Sequence, residues 1–326
     1  MSDSWRDLST RDALGLLTLL GLPGVGVRTV KLLADRLDAL GAVHAGSSLP
    51  AVVSAAAMRS LRDADAVGAA HARAVAIVAK AEETGTRLVS VYEDDYTQLL
   101  ASIPDPPPVL FVKGTLPGHD TKCVAVIGTR KPTDWGREQA RSFVRDVASK
   151  GWTVVSGLAL GIDTEAHEAA VAAGAQTVAV LGGGLDRISP AQNRALADRI
   201  VEAGGALVSE QPFGVSASRA TLVQRNRVTS GLSSAVVLVE SGLTGGSMQT
   251  VRFALLQGRQ LFAAVPEEAI HPAADALTRL TTRSASELAA VVKATGEYER
   301  RLREGLGTKP VALPLRAFGL HGSPER

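Results

Sequence analysis

Residues 123 to 130 read Cys-Val-Ala-Val-Ile-Gly-Thr-Arg, a run of five apolar residues that stops at a glycine. Thr153-Val-Val155 stops at Ser156-Gly157 in the same way, and Thr177-Val-Ala-Val-Leu181 stops at three glycines, Gly182 to Gly184. Strands that are apolar at nearly every position are typical of a parallel sheet with helices on both faces. The sequence therefore predicts an α/β fold with a doubly wound, mostly parallel sheet.

The glycines that follow these strands predict a ligand site. A glycine just past a strand lets the backbone approach a ligand, and the next helix directs its N-terminus to the same place. Open α/β sheets bind ligands at the carboxyl ends of their strands, so three such turns would form a shelf suited to phosphate. Arg130 directly follows the first turn, where packing does not readily explain an arginine.

Composition limits the classes of function. The chain has 326 residues, of which 45% are hydrophobic and only 4% aromatic, and its formal net charge is +2. A basic surface must therefore come from local clustering. The single cysteine, Cys123, excludes an intrachain disulfide and a cysteine-rich metal site. Since no apolar run reaches the roughly 18 residues of a membrane helix, we expect no membrane association and a cytoplasmic protein.

The N-terminal part is predicted to be helical. Leu22-Pro-Gly-Val-Gly26 interrupts two apolar-periodic segments, the first capped by Thr10, and Met58–Ala81 forms a further helix. A helix-hairpin-helix that holds a DNA phosphate and a plain αα-corner both fit this pattern. We predict a helical domain of the helix-hairpin-helix or SAM-like type over 1–84, the α/β domain over 85–296, and a flexible tail without a winged helix over 297–326.

The middle of the chain adds an extension to the sheet. Arg87–Val91 and Val109–Val112 are predicted strands, joined by a short helix and the stiff connector Ile103–Pro108. Further helices are predicted at 136–147, from 161, and at 192–203, 223–232, 251–257 and 284–295, and further strands at 206–209, 235–240 and 261–265.

Several enzyme classes do not fit. Arg187 stands where a dinucleotide fingerprint starting at Gly182 requires its third glycine, and there is no Gly-x4-Gly-Lys-Ser/Thr. Ser156, Asp163 and His167 suggest a hydrolase, but Ser156 lacks the Gly-x-Ser-x-Gly elbow. Structural or ligand-orienting roles are favoured for these three residues.

Ordered motifs make the chain resemble the DprA/Smf family of DNA-processing proteins from the helix-hairpin-helix to about Pro266. The motifs are Tyr92-Glu-Asp-Asp-Tyr-Thr-Gln-Leu-Leu-Ala-Ser-Ile-Pro-Asp-Pro-Pro-Pro-Val-Leu-Phe-Val-Lys-Gly114, Gly128-Thr-Arg-Lys-Pro132, Ser156-Gly-Leu-Ala-Leu-Gly-Ile-Asp163, Gly182-Gly-Gly-Leu-Asp186, Ser209-Glu210, Arg225-Asn-Arg227, Gly246-Ser-Met-Gln-Thr250 and Gly258-Arg259. The chain departs from the family at Ser189-Pro190, where Tyr-Pro is usual, and at Glu267, where Gly is usual.

The resemblance implies an extended Rossmann-like core that binds single-stranded DNA in a basic pocket and helps to load a RecA-type recombinase. It implies no catalytic residue, metal or cofactor, and leaves a homodimer open. The expected DNA- or phosphate-binding residues are Gly128, Thr129, Arg130, Lys131, Ser156, Gly157, Gly161, Asp163, Gly183, Gly184, Arg225, Asn226, Arg227, Gly246 and Ser247. Arg130, Arg227 and the N–H groups at Gly246-Ser247 should converge on one pocket.

Two other functions use the same shelf. One is a nucleotide-cleaving enzyme related to the phosphoribohydrolases, and the other is a nucleotide sensor, for instance in phage defence. The phosphoribohydrolase group carries Pro-Gly-Gly-x-Gly-Thr before a catalytic glutamate, whereas Thr244–Thr250 has neither the proline nor the glutamate.

Overall fold

The computed structural model describes residues 7–36, 41, 53–241, 245–264 and, as backbone, 311–312. The helices are Ala13–Leu20 (α1), Val27–Ala34 (α2), Ala55–Arg62 (α3), Ala64–Glu83 (α4), Gln98–Ala101 (α5), Asp134–Ala148 (α6), Ile162–Ala172 (α7), Arg194–Glu202 (α8), Arg219–Gly231 (α9) and Gly246–Leu256 (α10). The strands are Arg87–Ser90 (β1), Val109–Gly114 (β2), Cys123–Ile127 (β3), Thr153–Ser156 (β4), Thr177–Val180 (β5), Ala206–Ser209 (β6), Ala235–Leu238 (β7), Gln260–Ala263 (β8) and Val311–Ala312 (β9).

All the described strands form one sheet in the order β1-β2-β6-β5-β4-β3-β7-β8-β9. The pairs from β6 across to β9 are parallel, while β1 and β2 pair antiparallel to each other and β2 pairs antiparallel to β6. Every residue of β3 to β7 is buried. The predicted doubly wound, mostly parallel sheet is therefore confirmed.

The strand order creates a topological switch point beside β3. From β3 the chain adds β4, β5 and β6 on one side, and then returns to place β7 on the other side. The connection after β3 runs towards β4, and the connection after β7 runs the opposite way, towards β8. Such divergent connections leave a crevice at the carboxyl ends of the two strands, where doubly wound folds bind ligands. The fold thus provides a ligand crevice between the ends of β3 and β7.

The N-terminal helices share a hydrophobic core with the sheet. Leu16 and Leu19 of α1 belong to the same buried cluster as Val109 and Phe111 of β2. The Phe111 ring also meets the edge of Phe213, with 5.4 Å between centroids and an interplanar angle of 86°. Neighbouring residues on β2 face opposite sides, and Val112 joins the core on the other face.

Helix starts differ from the predicted ones because of capping. Asp12, rather than Thr10, caps α1, and its side chain accepts a hydrogen bond from the Gly15 N–H. The predicted helix over Met58–Ala81 is two helices, since Asp63 caps α4 directly after α3 ends. Short polar side chains compete with helical hydrogen bonds and so favour helix starts.

Some predictions concern residues outside the described part, namely the helix at 284–295 and the tail over 297–326, apart from the dipeptide of β9. The division of the chain into domains at residues 84 and 296 stays a prediction. None of the described helices is both long enough and apolar enough to cross a membrane.

Replacing Phe111 by alanine should lower the free energy of unfolding by about 3–5 kcal/mol, the usual loss for a buried aromatic ring. Because Phe111 joins the sheet to α1, the N-terminal helices and the sheet should still unfold together in one transition. Urea unfolding followed by far-ultraviolet circular dichroism measures both. An early separate loss of helical signal, with the remaining transition at wild-type stability, would contradict the shared core.

Candidate functional site

A cavity of about 550 Å³ lies at the switch point, over the carboxyl ends of β3, β4 and β7. We call it the strand-end pocket. Its lining residues are Ile127, Gly128, Thr129, Arg130, Ala159, Asp163, Arg219, Leu222, Val223, Arg225, Asn226, Ser241, Gly245, Gly246, Ser247, Gln249 and Thr250. The predicted site residues that are brought together here are Gly128, Thr129, Arg130, Asp163, Arg225, Asn226, Gly246 and Ser247.

The loop after β3 is held rigidly on one side of the pocket. The Thr129 N–H donates to the Glu240 carbonyl at 2.6 Å, and the Thr129 carbonyl accepts from the Ile162 N–H at 3.1 Å. A β-carbon on Gly128 would lie 2.5 Å from the Ile162 side chain, so only glycine allows this approach. Backbone hydrogen bonds to the segment after β7 and to the start of α7 therefore fix the loop that carries Arg130.

Arg130 is exposed and lines the pocket. It does not pair with Glu240, since that carboxylate accepts hydrogen bonds from the Thr133 N–H at 3.0 Å and the Thr133 hydroxyl at 3.1 Å. Among the described residues no carboxylate forms an ion pair with Arg130 or with Arg219, the other exposed arginine of the lining. Two guanidinium groups are thus available to an anion.

Arg225 forms the floor of the pocket with Asp163. Its Nη2 atom lies 4.0 Å from Asp163 Oδ2, and it donates to the Gly157 carbonyl at 3.1 Å. The guanidinium covers Gly157 so closely that a β-carbon there would lie 1.6 Å from Nη1. Glycine at 157 is therefore required for Arg225 to occupy this position.

Burial dominates the electrostatics of this pair. It lowers the pKa of Arg225, an effect that Asp163 opposes and that the positive charge of Arg130 reinforces. Burial likewise raises the pKa of Asp163 against the opposing effect of Arg225. Asp163 is the sole carboxylate among the described lining residues, and Arg225 balances its charge, so Arg130 and Arg219 leave the pocket positive.

The N-terminus of α10 forms the opposite wall. Gly245 is the N-cap and, as a glycine, supplies no side-chain hydrogen bond to the first N–H groups of the helix. The hydroxyls of Ser241 and Ser247 lie 2.6 Å apart, and Asn226 Nδ2 donates to the Gly246 carbonyl at 3.3 Å. This second hydrogen bond joins α9 to the start of α10.

Arg227 does not join the pocket, which corrects our expectation. Its side chain is only 3% exposed, and its Nη2 atom lies 2.7 Å from Glu210 Oε2. Its Nε atom lies 3.0 Å from Asp105 Oδ2 in the proline-rich connector before β2. Residues two apart on a helix face different ways, and here the second arginine meets carboxylates of the protein rather than solvent. Arg227 therefore holds α9 to the sheet.

Gly183 and Gly184 also lie outside the pocket. Both are buried beneath residues 212–217, and the Gly184 N–H donates to the Val215 carbonyl at 2.9 Å. A β-carbon on Gly183 would lie 2.9 Å from the backbone nitrogen of Ala217. Residues 212–217 therefore cover the turn after β5 and leave no room there for a ligand. The loop after β7 lines the pocket instead of this turn.

Besides Gly157, which lies beneath Arg225, three further predicted residues lie near the pocket without lining it. Ser156 is buried, and its hydroxyl donates to the Val126 carbonyl at 2.7 Å. Gly161 is the N-cap of α7 with φ of 89°, next to the backbone of Arg130. Lys131 is exposed beyond the lining residues. Ser156 and Gly161 thus support the loops that form the pocket.

Sequence reasoning missed the first turn of α9, from which Arg219, Leu222 and Val223 reach the pocket. The helix starts at Arg219, not at Val223, because Ser218 and Thr221 form a capping box. The pattern Ser218-Arg-Ala-Thr221 was the available signal, although the usual capping box has Glu or Gln in the last place.

His167 has a structural environment. Its Nδ1 atom lies 2.8 Å from the Thr177 hydroxyl, which itself donates to the Val154 carbonyl at 2.8 Å. Nδ1 must therefore carry the proton, and Nε2 is buried without a hydrogen-bond partner in the part of the chain that the structure describes. Burial, reinforced by the charge of Arg225, lowers the pKa of His167 to about 3. The imidazole is neutral, and its hydrogen bond goes to Thr177, while the Ser156 hydroxyl donates to the Val126 carbonyl.

Comparison with known proteins identifies related sequences. A family model described as DNA recombination-mediator protein A matches residues 87–298. Protein Smf of Escherichia coli strain K12 is 41% identical over 182 residues, which cover 56% of this chain and 49% of that protein. DNA processing protein DprA of Bacillus subtilis is 36% identical over 214 residues, which cover 65% of this chain and 71% of that protein. The match therefore spans about half the length of the Escherichia coli relative.

Solved structures of two DNA processing proteins are among those similar to this chain. DNA processing protein A from Streptococcus pneumoniae superposes with a TM-score of 0.66 at 26% identity, covering 82% of this chain and 92% of that one. DNA processing protein A from Helicobacter pylori, reported for its single-stranded DNA binding mode, gives a TM-score of 0.53 at 26% identity. That match covers 64% of this chain and 96% of the Helicobacter pylori chain.

Replacing Arg227 by methionine should lower the free energy of unfolding by about 3–5 kcal/mol, because Glu210 is left buried without a partner. Replacing Glu210 by methionine in the same chain should recover most of that loss, since an apolar pair of similar volume substitutes well for a buried ion pair. Urea unfolding of both variants measures the effect. A double variant no more stable than the single one would contradict this role for Glu210.

The low pKa of His167 makes stability depend on pH. A group whose pKa is lower in the folded state contributes stability above its unfolded pKa of about 6.5 and loses it as the pH falls towards 3. The wild-type protein should thus lose stability faster than a His167→Gln variant below pH 6.5, by up to about 1.4 kcal/mol per pH unit. Urea midpoints measured between pH 7.5 and 4.5 test this, and parallel curves would refute it.

Proposed function

This chain belongs to the DNA recombination-mediator protein A family, and from that premise and the strand-end pocket we propose that it binds single-stranded DNA. The family's description is that of a mediator of recombination, in agreement with our prediction that the chain is not an enzyme. The proposal concerns which ligand the protein binds and through which residues.

The strand-end pocket carries this proposal. Arg130 and Arg219 are exposed without a carboxylate partner among the described residues, and the N-cap of α10, Gly245, supplies no side-chain hydrogen bond to the first turn. Phosphate accepts charge-assisted hydrogen bonds from both kinds of donor, and a helix N-terminus attracts negative charge. The buried Asp163 does not repel the ligand, because Arg225 balances its charge.

The shape of the site favours a single strand. A cavity of about 550 Å³ is in the size range of pockets for small ligands. It admits the phosphate and sugar of a flexible strand, whereas duplex recognition normally requires an element that enters a groove. Binding through phosphates varies little with base sequence and weakens steeply with salt.

The Helicobacter pylori relative supports the same ligand, since its structure is reported for a single-stranded DNA binding mode. We further propose that the bound strand is protected and passed to a RecA-type recombinase in the cytoplasm, and that the protein works as a homodimer. These steps rest on the resemblance of the sequence to its family.

The described residues do not favour a phosphoribohydrolase-like enzyme. Such chemistry needs a carboxylate that is free to act in the pocket. Asp163 is paired with Arg225, and Glu240 is buried and accepts two hydrogen bonds from Thr133. Neither group is available to attack a nucleotide.

Replacing Arg130 by alanine should weaken oligonucleotide binding about tenfold at ~0.1 M salt, since a hydrogen bond to a charged group is worth about 1.5–3 kcal/mol. The slope of log affinity against log salt should become shallower by about 0.7 for each phosphate that the variant no longer neutralises. The melting temperature should hardly change because Arg130 is exposed and forms no ion pair with a described residue. Fluorescence anisotropy with single-stranded and duplex oligonucleotides measures these effects.

Lys131→Ala is the matched control, because Lys131 is the next residue, also exposed, and outside the pocket lining. It should retain more of the affinity than Arg130→Ala. Equal binding of duplex and single strand by the wild-type protein, or an equal decrease of affinity in the two variants, would overturn the assignment of the pocket.

A further inference from the structure

Resting on the proposed function, we infer that Leu160 contacts a nucleobase when the neighbouring phosphate occupies the strand-end pocket. Leu160 is an apolar residue that directly follows a lining residue of this polar site. It lies between Ala159, which lines the pocket, and Gly161, which packs against the backbone of Arg130. Its position in the chain therefore places it beside the two loops that would hold the phosphate.

Leu160 is one of two large hydrophobic residues that are exposed in the described part of the chain. It is 41% exposed, and the other, Val75 on α4, is 45% exposed. Single exposed apolar residues are common and need no explanation on their own. The loop around Leu160 supplies the second observation.

That loop is held in a conformation that turns Leu160 outwards. Leu158 is fully buried with φ of 58°, the left-handed region that a leucine rarely adopts. Asn193 Nδ2 donates to the Leu158 carbonyl at 2.8 Å, and the Thr164 hydroxyl donates to the Ala159 carbonyl at 2.8 Å. Strained backbone of this kind persists where the surroundings fix it and clusters at functional sites.

An aliphatic side chain in this place suits the face of a base. The phosphate has charged partners in the pocket, and the base attached to the same nucleotide must lie outside it. The described lining residues include no aromatic side chain on which a base could stack. Leu160 presents apolar surface that a base can cover without sequence-specific hydrogen bonds, and a thymine methyl group adds to that apolar surface.

The test compares oligothymidylate with an abasic strand that has the same length and the same number of phosphates. The wild-type protein should bind oligothymidylate about fivefold more tightly, the effect of covering part of one leucine side chain. Leu160→Ala should remove most of that preference while leaving the salt slope and the affinity for the abasic strand unchanged. Leu160→Phe should increase the preference, since an aromatic ring stacks on a base.

Val75→Ala is the matched control, a truncation of an equally exposed apolar residue on a helix that supplies no lining residue. It should keep the wild-type preference. Equal affinity of the wild-type protein for both strands, or a preference that survives Leu160→Ala, would overturn the role of Leu160 alone. Absence of salt-sensitive binding to either strand would instead overturn the proposed function and this inference with it.

Discussion

The geometry of the strand-end pocket depends on one buried contact, the Arg225 guanidinium lying over Gly157 beside Asp163. A buried charge is tolerated only when it is paired and hydrogen-bonded. The contacts of Arg225 with the Gly157 carbonyl and with Asp163 therefore join the end of β4, the first turn of α7 and helix α9. The exposed arginines around the pocket can remain without carboxylate partners among the described residues because the arginine beneath them is already balanced.

Helix α9 divides its polar residues between the strand-end pocket and the hydrogen bonds that hold the helix in place. Arg225 and Asn226 line the pocket, whereas Arg227 lies between Glu210 and Asp105. The Arg227 carbonyl also accepts a hydrogen bond from Gln257 Nε2 at 2.9 Å. Adjacent residues of one short motif thus have different roles. Only the residues that surround each side chain in the folded protein distinguish a lining residue from a structural one. A motif read as a unit would assign both arginines to the ligand.

The sequence predicted the sheet well because β3 to β7 are apolar runs, four of which end at glycine or serine, and this is a local signal. It also predicted that Arg130 would lie exposed at the carboxyl ends of the strands, because position after a strand end determines where a side chain emerges. It could not predict Arg227, whose carboxylate partners are 17 and 122 residues away. The prediction that Gly183 and Gly184 line the pocket was wrong for a similar reason, since the segment that covers them starts 28 residues after Gly184, at Pro212. Whether a glycine turn or an arginine of a given local pattern lines the pocket is thus decided by contacts with residues distant in sequence.

The strand order has a consequence for how the protein is made. The pocket joins loops near residues 128, 159 and 245, and its last wall, α10, ends at Leu256. Synthesis proceeds from the N-terminus and domains fold as units, while contacts of long sequence separation form slowly. A nascent chain that has been synthesised as far as β6 therefore has the strands on one side of β3. It still lacks β7, the neighbour of β3 on the other side, and α10, which supplies part of the pocket lining. The pocket is thus complete only in chains whose central strand β3 has gained both of its neighbours, β4 and β7.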